Sequence, residues 1–437
     1  MEEIIKNLLK KEAQSVEFWI ELEEGIEVEK RDGKIFLKER YNEQTFTVRY
    51  LNKNGKAGLS YNTFLNPVSI EETCLKAKVL SEHGVPTVFP KPSKYPEISP
   101  KTFHFLTFDE ILNILNEVEE ELFDFDSAIK RIEKLKLSCG TNKYILLRKD
   151  LKFSWEVPFY SFIISVVAKN NEKEASAYEW LEDTKLDLTE IKERAFLACK
   201  KALALSKAKK GKSLKIPVLF PPFISVEFLD LLEFAFLGDE VLKGRSYLKD
   251  KLGKKVFSEK LTLYDDGINP DLPESRPFDD EGEAQNKKVL VEKGVVKEFL
   301  FDTFWKKEAE KRGFSNIRAG NARRPDFTTF PKVSSTNFYI EKGVLTQKEL
   351  LNLNTEVFEV LEILGVHTSD PISGDFSLGV SGIYYKNGEP VDYFSEMALS
   401  GNFFELFNNI IEIGSDLKFY GSTGSPSLLI NKMDIGG

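Results

Sequence analysis

Histidine, cysteine and methionine are scarce in this 437-residue chain, with three of each. His83, His104 and His367 stand far apart, and no pair has the spacing of ligands on one helix turn. A structural or catalytic zinc site takes three or four N, S or O ligands, and nothing local begins one. Cys74, Cys139 and Cys199 form no Cys-x-x-Cys pair. Isolated thiols fit a reducing compartment, so a cytoplasmic location is expected. No apolar run approaches the ~20 residues that cross a bilayer. The opening MEEIIKNLLKKEA reads as an amphipathic helix without the apolar core and small-residue cleavage site of a secretory signal. No membrane partner is expected. The Gly-x-Ser-x-Gly elbow is absent, which leaves Ser246, Ser373 and Ser400 without the setting of a nucleophile. Gly374, Gly379, Gly382 and Gly401 follow no strand–loop–helix phosphate pattern, so no nucleotide cofactor is implied.

Charge and aromatic residues are plentiful. Lys and Arg number 61 and Asp and Glu 70, a net charge of −9. That balance disfavours nucleic acid, which calls for clustered positive charge. With 35 Phe, the cores are expected to lean on aromatic packing. The length suggests two domains, placed at 1–210 and 211–437. In the first, residues 16–61 alternate at the strand period, with hairpin signals at Asp32-Gly33 and Asn54-Gly55. Ser69/Glu72 and Thr107/Glu110 read as capping boxes opening helices. Strand-like runs near 134–139, 144–148 and 159–168 precede a long helix over 189–210 with a basic end, which suits a helix C-terminus. In the second, strand 214–220 leads to a helix over 225–237, capped by Ser225 and ended by Gly238. Phe228, Leu229, Leu231, Leu232, Phe234, Phe236 and Leu237 surround that helix, so it is buried. Residues 318–335 read as a loop. Many strands joined by tight turns, without a βαβ rhythm, predict an α+β fold with antiparallel sheets and packed helices.

Three groups of side chains offer chemistry. Asp265-Asp266 and Asp279-Asp280-Glu281 could ligate a hard cation or pair as acid and base, or simply build Asp-Gly and Glu-Gly turns. Arg323 and Arg324 could fork onto a peptide carboxylate, or onto the acids at 279–281, or pair internally to fix their loop. Asp230 forms a row with Glu227 and Glu233 at i, i+3, i+6, a narrow acidic stripe on an otherwise apolar helix.

A longer set of motifs runs through the second half. Gly238-Asp239, Lys243-Gly244-Arg245-Ser246 and Leu252-Gly253 come first, then Leu263-Tyr264-Asp265-Asp266 and Phe278-Asp279-Asp280-Glu281-Gly282. Gly320-Asn321-Ala322-Arg323-Arg324, Thr336-Asn337, Ser373-Gly374-Asp375-Phe376 and Ser400-Gly401-Asn402 follow. In this order they resemble the C-terminal half of the TldD/PmbA family, also labelled as modulators of DNA gyrase. The resemblance implies a metallopeptidase-related protein acting on unfolded peptides. The TldD branch carries a metal-binding His-Glu-x-x-x-His and a late cysteine. Anchored on Gly238-Asp239, those positions fall on Leu229, Asp230 and Phe234, and no cysteine follows Cys199. The chain therefore resembles the PmbA (TldE) branch. That implies no catalytic residue, no metal and no cofactor of its own, and a TldD-type subunit or a second copy as partner. The groove residues it points to are Asp279, Asp280, Glu281, Arg323, Asn337 and Asp375. Two alternatives stand beside this reading. One is a stand-alone homodimeric peptidase with carboxylate metal ligands around Asp279–Glu281 and Asp375. The other is an interaction module that modulates DNA gyrase.

Overall fold

The structure, a computed structural model, describes residues 2–12, 15–99 and 101–437. The N-terminal half is built on one antiparallel sheet. Its strands, in spatial order, are Val85–Pro86, Lys56–Asn62, Lys34–Leu51, Val16–Arg31, Ile129–Arg148, Leu151–Asn170 and Lys173–Asp183. Asp32 and Gly33 both take positive φ at the first hairpin, as the Asp-Gly signal requires. The two expected runs at 134–139 and 144–148 are one 20-residue strand, because the polar residues between them lie on paired, sheet-covered backbone. One face of this sheet carries the helices Phe108–Phe125 and Leu188–Lys207. The first opens on the expected Thr107/Glu110 capping box and buries Ile111, Leu115, Val118 and Leu122, the stripe of a single face. The second is capped by Asp187 and packs Ile191, Ala195, Ala198 and Ala202 into the same core. The helix Pro67–Leu80 starts earlier than expected: Asn66 caps it, and Ser69 is the third helical residue of the box rather than its cap.

The C-terminal half holds two larger sheets and a two-stranded ribbon. The seven-stranded sheet runs Ile410–Ile413, Leu428–Gly436, Leu214–Phe220, Glu356–Leu364, Asp375–Lys386, Glu389–Asn402 and Lys209–Lys210. The six-stranded sheet runs Val295–Val296, Lys287–Glu292, Leu263–Asp266, Phe338–Ile340, Thr423–Ser425 and Lys418–Tyr420. Most neighbours are antiparallel, and the class is α+β as the turn-rich pattern implied. The ribbon pairs Ala322–Arg323 with Lys332–Val333, inside the segment expected to be loop. Pairs this short leave no periodicity to read.

The central helix, Pro222–Phe236, lies between these sheets. It begins three residues before the expected start. Pro221 and Pro222 preset the first turn, and Ser225 is already helical, its Oγ–H donating to the Phe220 carbonyl at 2.9 Å. Phe228 packs on Phe220 and Phe376, both with ring centroids at 5.1 Å, on strands Leu214–Phe220 and Asp375–Lys386 of the seven-stranded sheet. Phe236 reaches Phe338 of the other sheet at 6.1 Å. Gly238 follows, for want of space: a Cβ there would sit 2.3 Å from Phe301 Cε1 and 2.4 Å from the Leu300 carbonyl oxygen. Leu229 has no exposed surface. Leu229→Ala is expected to cost about 2–5 kcal/mol in urea unfolding, with an unchanged m-value.

Candidate functional site

The acidic row on the central helix opens onto a cleft of about 640 Å³. Glu227, Asp230 and Glu233 form its floor, a consequence of helical spacing that turns every third residue to one side. Trp180 contributes from the N-terminal sheet, and Arg323, Arg324 and Tyr420 come from elsewhere in the C-terminal half. Thr423 Oγ1 donates to Asp230 at 2.6 Å. Glu233 accepts from Ser335 N at 2.7 Å and Ser334 Oγ at 3.2 Å, which ties the ribbon's exit to the helix. Asp230 keeps an exposed edge, yet the nearby walls reduce its hydration and push its carboxyl up to about 7, against the pull of the Thr423 bond and with help from Glu233 and Glu227. Its side of the cleft is open to solvent.

Leu229 and Phe234 do not line this cleft. Leu229 points into the core, and Phe234 is half-buried. Of the three positions that the resemblance assigned to a metal site, only Asp230 presents an oxygen to the cleft. Among the described residues, no group of three or more His, Cys, Asp or Glu side chains converges as metal ligands do. At the helix positions that the resemblance assigns to a metal, the hydrocarbon side chains of Leu229 and Phe234 offer no donor atom.

The proposed groove residues separate. Arg323 lines the cleft but is committed to Glu274 at 2.6 Å. Burial works against the Glu274 charge, yet Arg323 and Arg276 beside it hold its carboxyl below the usual range. Asn337 is buried, accepting from Glu274 N at 3.0 Å and donating to the Asp266 carbonyl at 2.6 Å, and so pins the 266–274 loop. Asp375 lies away from the cleft, exposed, accepting from Asn402 Nδ2 at 2.9 Å. Asp279, Asp280 and Glu281 are buried where the two halves meet, not in a groove.

That buried turn is the centre of an ionic network. Asp279 accepts from the amides of Glu281, Glu283 and Ala322 at 2.9–3.0 Å. Asp280 accepts from Arg324 N at 2.5 Å and pairs with Arg276. Glu281 receives Arg49 at 2.9 Å, and Arg148 donates to its carbonyl at 3.1 Å. Glu17 sits among Arg49, Arg324 and Arg148 at 2.8, 3.2 and 3.4 Å. Phe89 lies beneath both Arg49 and Arg148, and Phe153 stacks on Phe278 at 4.2 Å. Arg49 and Arg148 escaped the reading of the sequence, and Glu17, whose alternation with Phe18 and Ile20 suggests a wet face, is buried instead. Their signal was there: charged residues inside strand segments apolar on both faces, such as Val16-Glu17-Phe18-Trp19.

Residues 213–437 match the PmbA/TldA metallopeptidase C-terminal domain, and residues 101–206 match the central domain of the same group. Fold and sequence thus make this a metallopeptidase-like chain. An uncharacterized protein of Methanocaldococcus jannaschii is 30% identical over 386 residues, 86% of each chain. The metalloprotease PmbA homolog of Buchnera aphidicola is 24% identical over 99% of this chain and 96% of its own length. The crystal structure of TldE from Thermococcus kodakarensis superposes with a TM-score of 0.89 over the whole of both chains, at 21% identity. The chain belongs to the PmbA/TldD family.

Two outcomes test the network. Arg49→Met strands Glu281 in the interior and takes one of three arginines from Glu17, and is expected to cost about 3–5 kcal/mol in chemical denaturation. The second concerns Asp302, at the start of helix Thr303–Lys311. Burial, then Glu281, push its carboxyl up to about 8, against its capping bond from Trp305 N at 2.6 Å. Folded Asp302 thus keeps a proton that the unfolded chain sheds near pH 4, and this group's contribution falls as pH rises from there to about 8. Asn retains the cap without the charge. Asp302→Asn is expected to lose less stability than wild type between about pH 5.5 and pH 8.5, read from urea midpoints.

Proposed function

We propose that this chain is a PmbA-type, non-catalytic subunit of a TldD-type metallopeptidase assembly, active in the cytoplasm on unfolded peptides. The observation that carries this reading is the central helix: hydrocarbon side chains at Leu229 and Phe234 stand where the resemblance calls for imidazoles. A carboxylate such as Asp230, without imidazoles beside it to hold an ion, would have no metal-bound water to activate. The chain instead supplies an enclosing wall. The ribbon strand Lys332–Val333 borders the cleft and offers a strand edge to an extended peptide, whereas Arg194 caps the other candidate, Lys418–Tyr420, by donating to the Phe419 carbonyl at 3.0 Å. The partner is a TldD-type chain or a second copy of this one. We take the chain as two domains meeting near residue 210. The seven-stranded antiparallel sheet forms wholly within 16–183, while Lys209–Lys210 already pair with Phe394–Ser395 of the later sheet.

Metal analysis and peptide cleavage on the purified chain test this reading. No stoichiometric zinc or iron and no cleavage are expected from the chain alone, with cleavage appearing once a TldD-type chain is added. About one tightly held ion per chain, with chelator-sensitive cleavage, overturns it.

A further inference from the structure

A second cleft, of about 920 Å³, lies between helix Leu188–Lys207 and the seven-stranded mixed sheet. It shares Phe223 and Tyr420 with the acidic cleft, and these rings meet edge-on at 5.2 Å to form a common wall. The lining is apolar, with Phe196, Leu197, Pro222, Leu361 and Ile383. Its size falls within the span of ligand sites, roughly 300–1,000 Å³. One carboxyl, Glu359, is set into the floor at 6% exposure. Tyr385 Oη–H and Gln347 Nε2–H donate to it at 2.8 and 2.5 Å, and burial holds it above the usual carboxylate range.

The lysines at the mouth differ in their commitments. Lys201 pairs with Glu179, and Lys418 pairs with Glu193 and Glu190 at 2.9 and 3.0 Å. Lys200 and Lys348 are exposed, and no described carboxylate lies within ion-pairing distance of either. Of the three acids in the lining, Glu193 is paired with Lys418, Glu359 is bonded in the floor, and Asp416 is engaged by Ser427 N and Oγ at 3.0 and 2.6 Å. An apolar trough with two uncommitted cations at its mouth matches an anion with an apolar body. We propose that this cleft binds the carboxyl-terminal end of an apolar peptide, with side chains on the Leu361–Ile383 floor and the terminal carboxylate at Lys200 and Lys348. The inference rests on the reading that the neighbouring acidic cleft borders a peptide path, since the two share a wall.

Fluorescence anisotropy on the full chain tests it, with a dye-labelled Leu/Phe peptide as free acid and as C-terminal amide. The acid is expected to bind about tenfold tighter than the amide. Lys200→Glu with Lys348→Glu, both on exposed positions, should erase that preference. Ile383→Trp, which fills the floor, should weaken both forms. Equal binding of acid and amide, or a preference untouched by the lysine pair, overturns the proposal. Binding lost only on Asp230→Asn places the peptide in the acidic cleft alone. That result also overturns the proposal, while leaving the function proposed above standing.

Discussion

Glu17 is held by three arginines in a site sealed from water. Two of them come from the N-terminal sheet and the third from the C-terminal half. A buried carboxylate is tolerated only when charge and hydrogen bonds replace its hydration. The two halves therefore complete one another's electrostatics. Arg49 and Arg148 need the 279–281 turn, and Glu17 needs Arg324. Neither surface could be exposed alone without freeing several charges from their partners. The cleft inherits this dependence. Arg324 lines it and at the same time grips Glu17, while its amide is fixed by Asp280. Trp180 brings the first sheet to the same cleft. The shape of the cleft is thus set by a junction rather than by the central helix alone.

The turn that feeds the network shows how tightly it is specified. Gly282 takes φ +80°, a conformation that costs a side-chain-bearing residue, and a Cβ there would lie 2.6 Å from Leu151 Cδ2 and 2.7 Å from Leu146 Cδ2. The chain reverses against the N-terminal sheet with no room for a side chain. Asp279 then closes the turn on its own amides, and Glu281 alone of the three acids reaches Arg49. Turn chemistry, one of the readings the sequence left open for the acidic cluster, coexists in this segment with ion pairs to Arg49 and Arg276.

Much of the fold was legible because it is written in periodicity. The Thr107/Glu110 box, the Asp32-Gly33 hairpin, strand Leu214–Phe220 and the all-round apolar helix each follow from local rules. The two misplaced helix starts have a common cause. Asn66 displaced Ser69 as a cap and Pro221-Pro222 displaced Ser225, because a stronger signal lay a few residues upstream. The ribbon at 322–333 is held by tertiary bonds, such as Ala322 N to Asp279 at 3.0 Å and Ser335 N to Glu233 at 2.7 Å, which no pattern records. At the site, the acidic stripe was visible as a row, and the positions of Leu229 and Phe234 came from the family motif. The separation of Asn337, Asp375 and the 279–281 cluster was not visible. Polar residues buried at a junction and polar residues lining a groove look alike in one dimension.

The central helix now bears on function through what it keeps dry. An imidazole at position 229 would sit among Phe and Leu side chains with no hydrogen-bond partner, and burying a polar group without one costs roughly 1–3 kcal/mol. Leucine removes that penalty and adds contact to the core. Leu229 thus packs the far side of the helix whose acidic row forms the cleft's floor. Asp230 remains, with a raised carboxyl bonded to Thr423, suited to accept or give a hydrogen bond near neutral pH. On the role proposed above, a peptide-binding wall needs a rigid floor and hydrogen-bonding groups, and the helix between Pro222 and Phe236 has both: a buried apolar face and the row Glu227, Asp230 and Glu233.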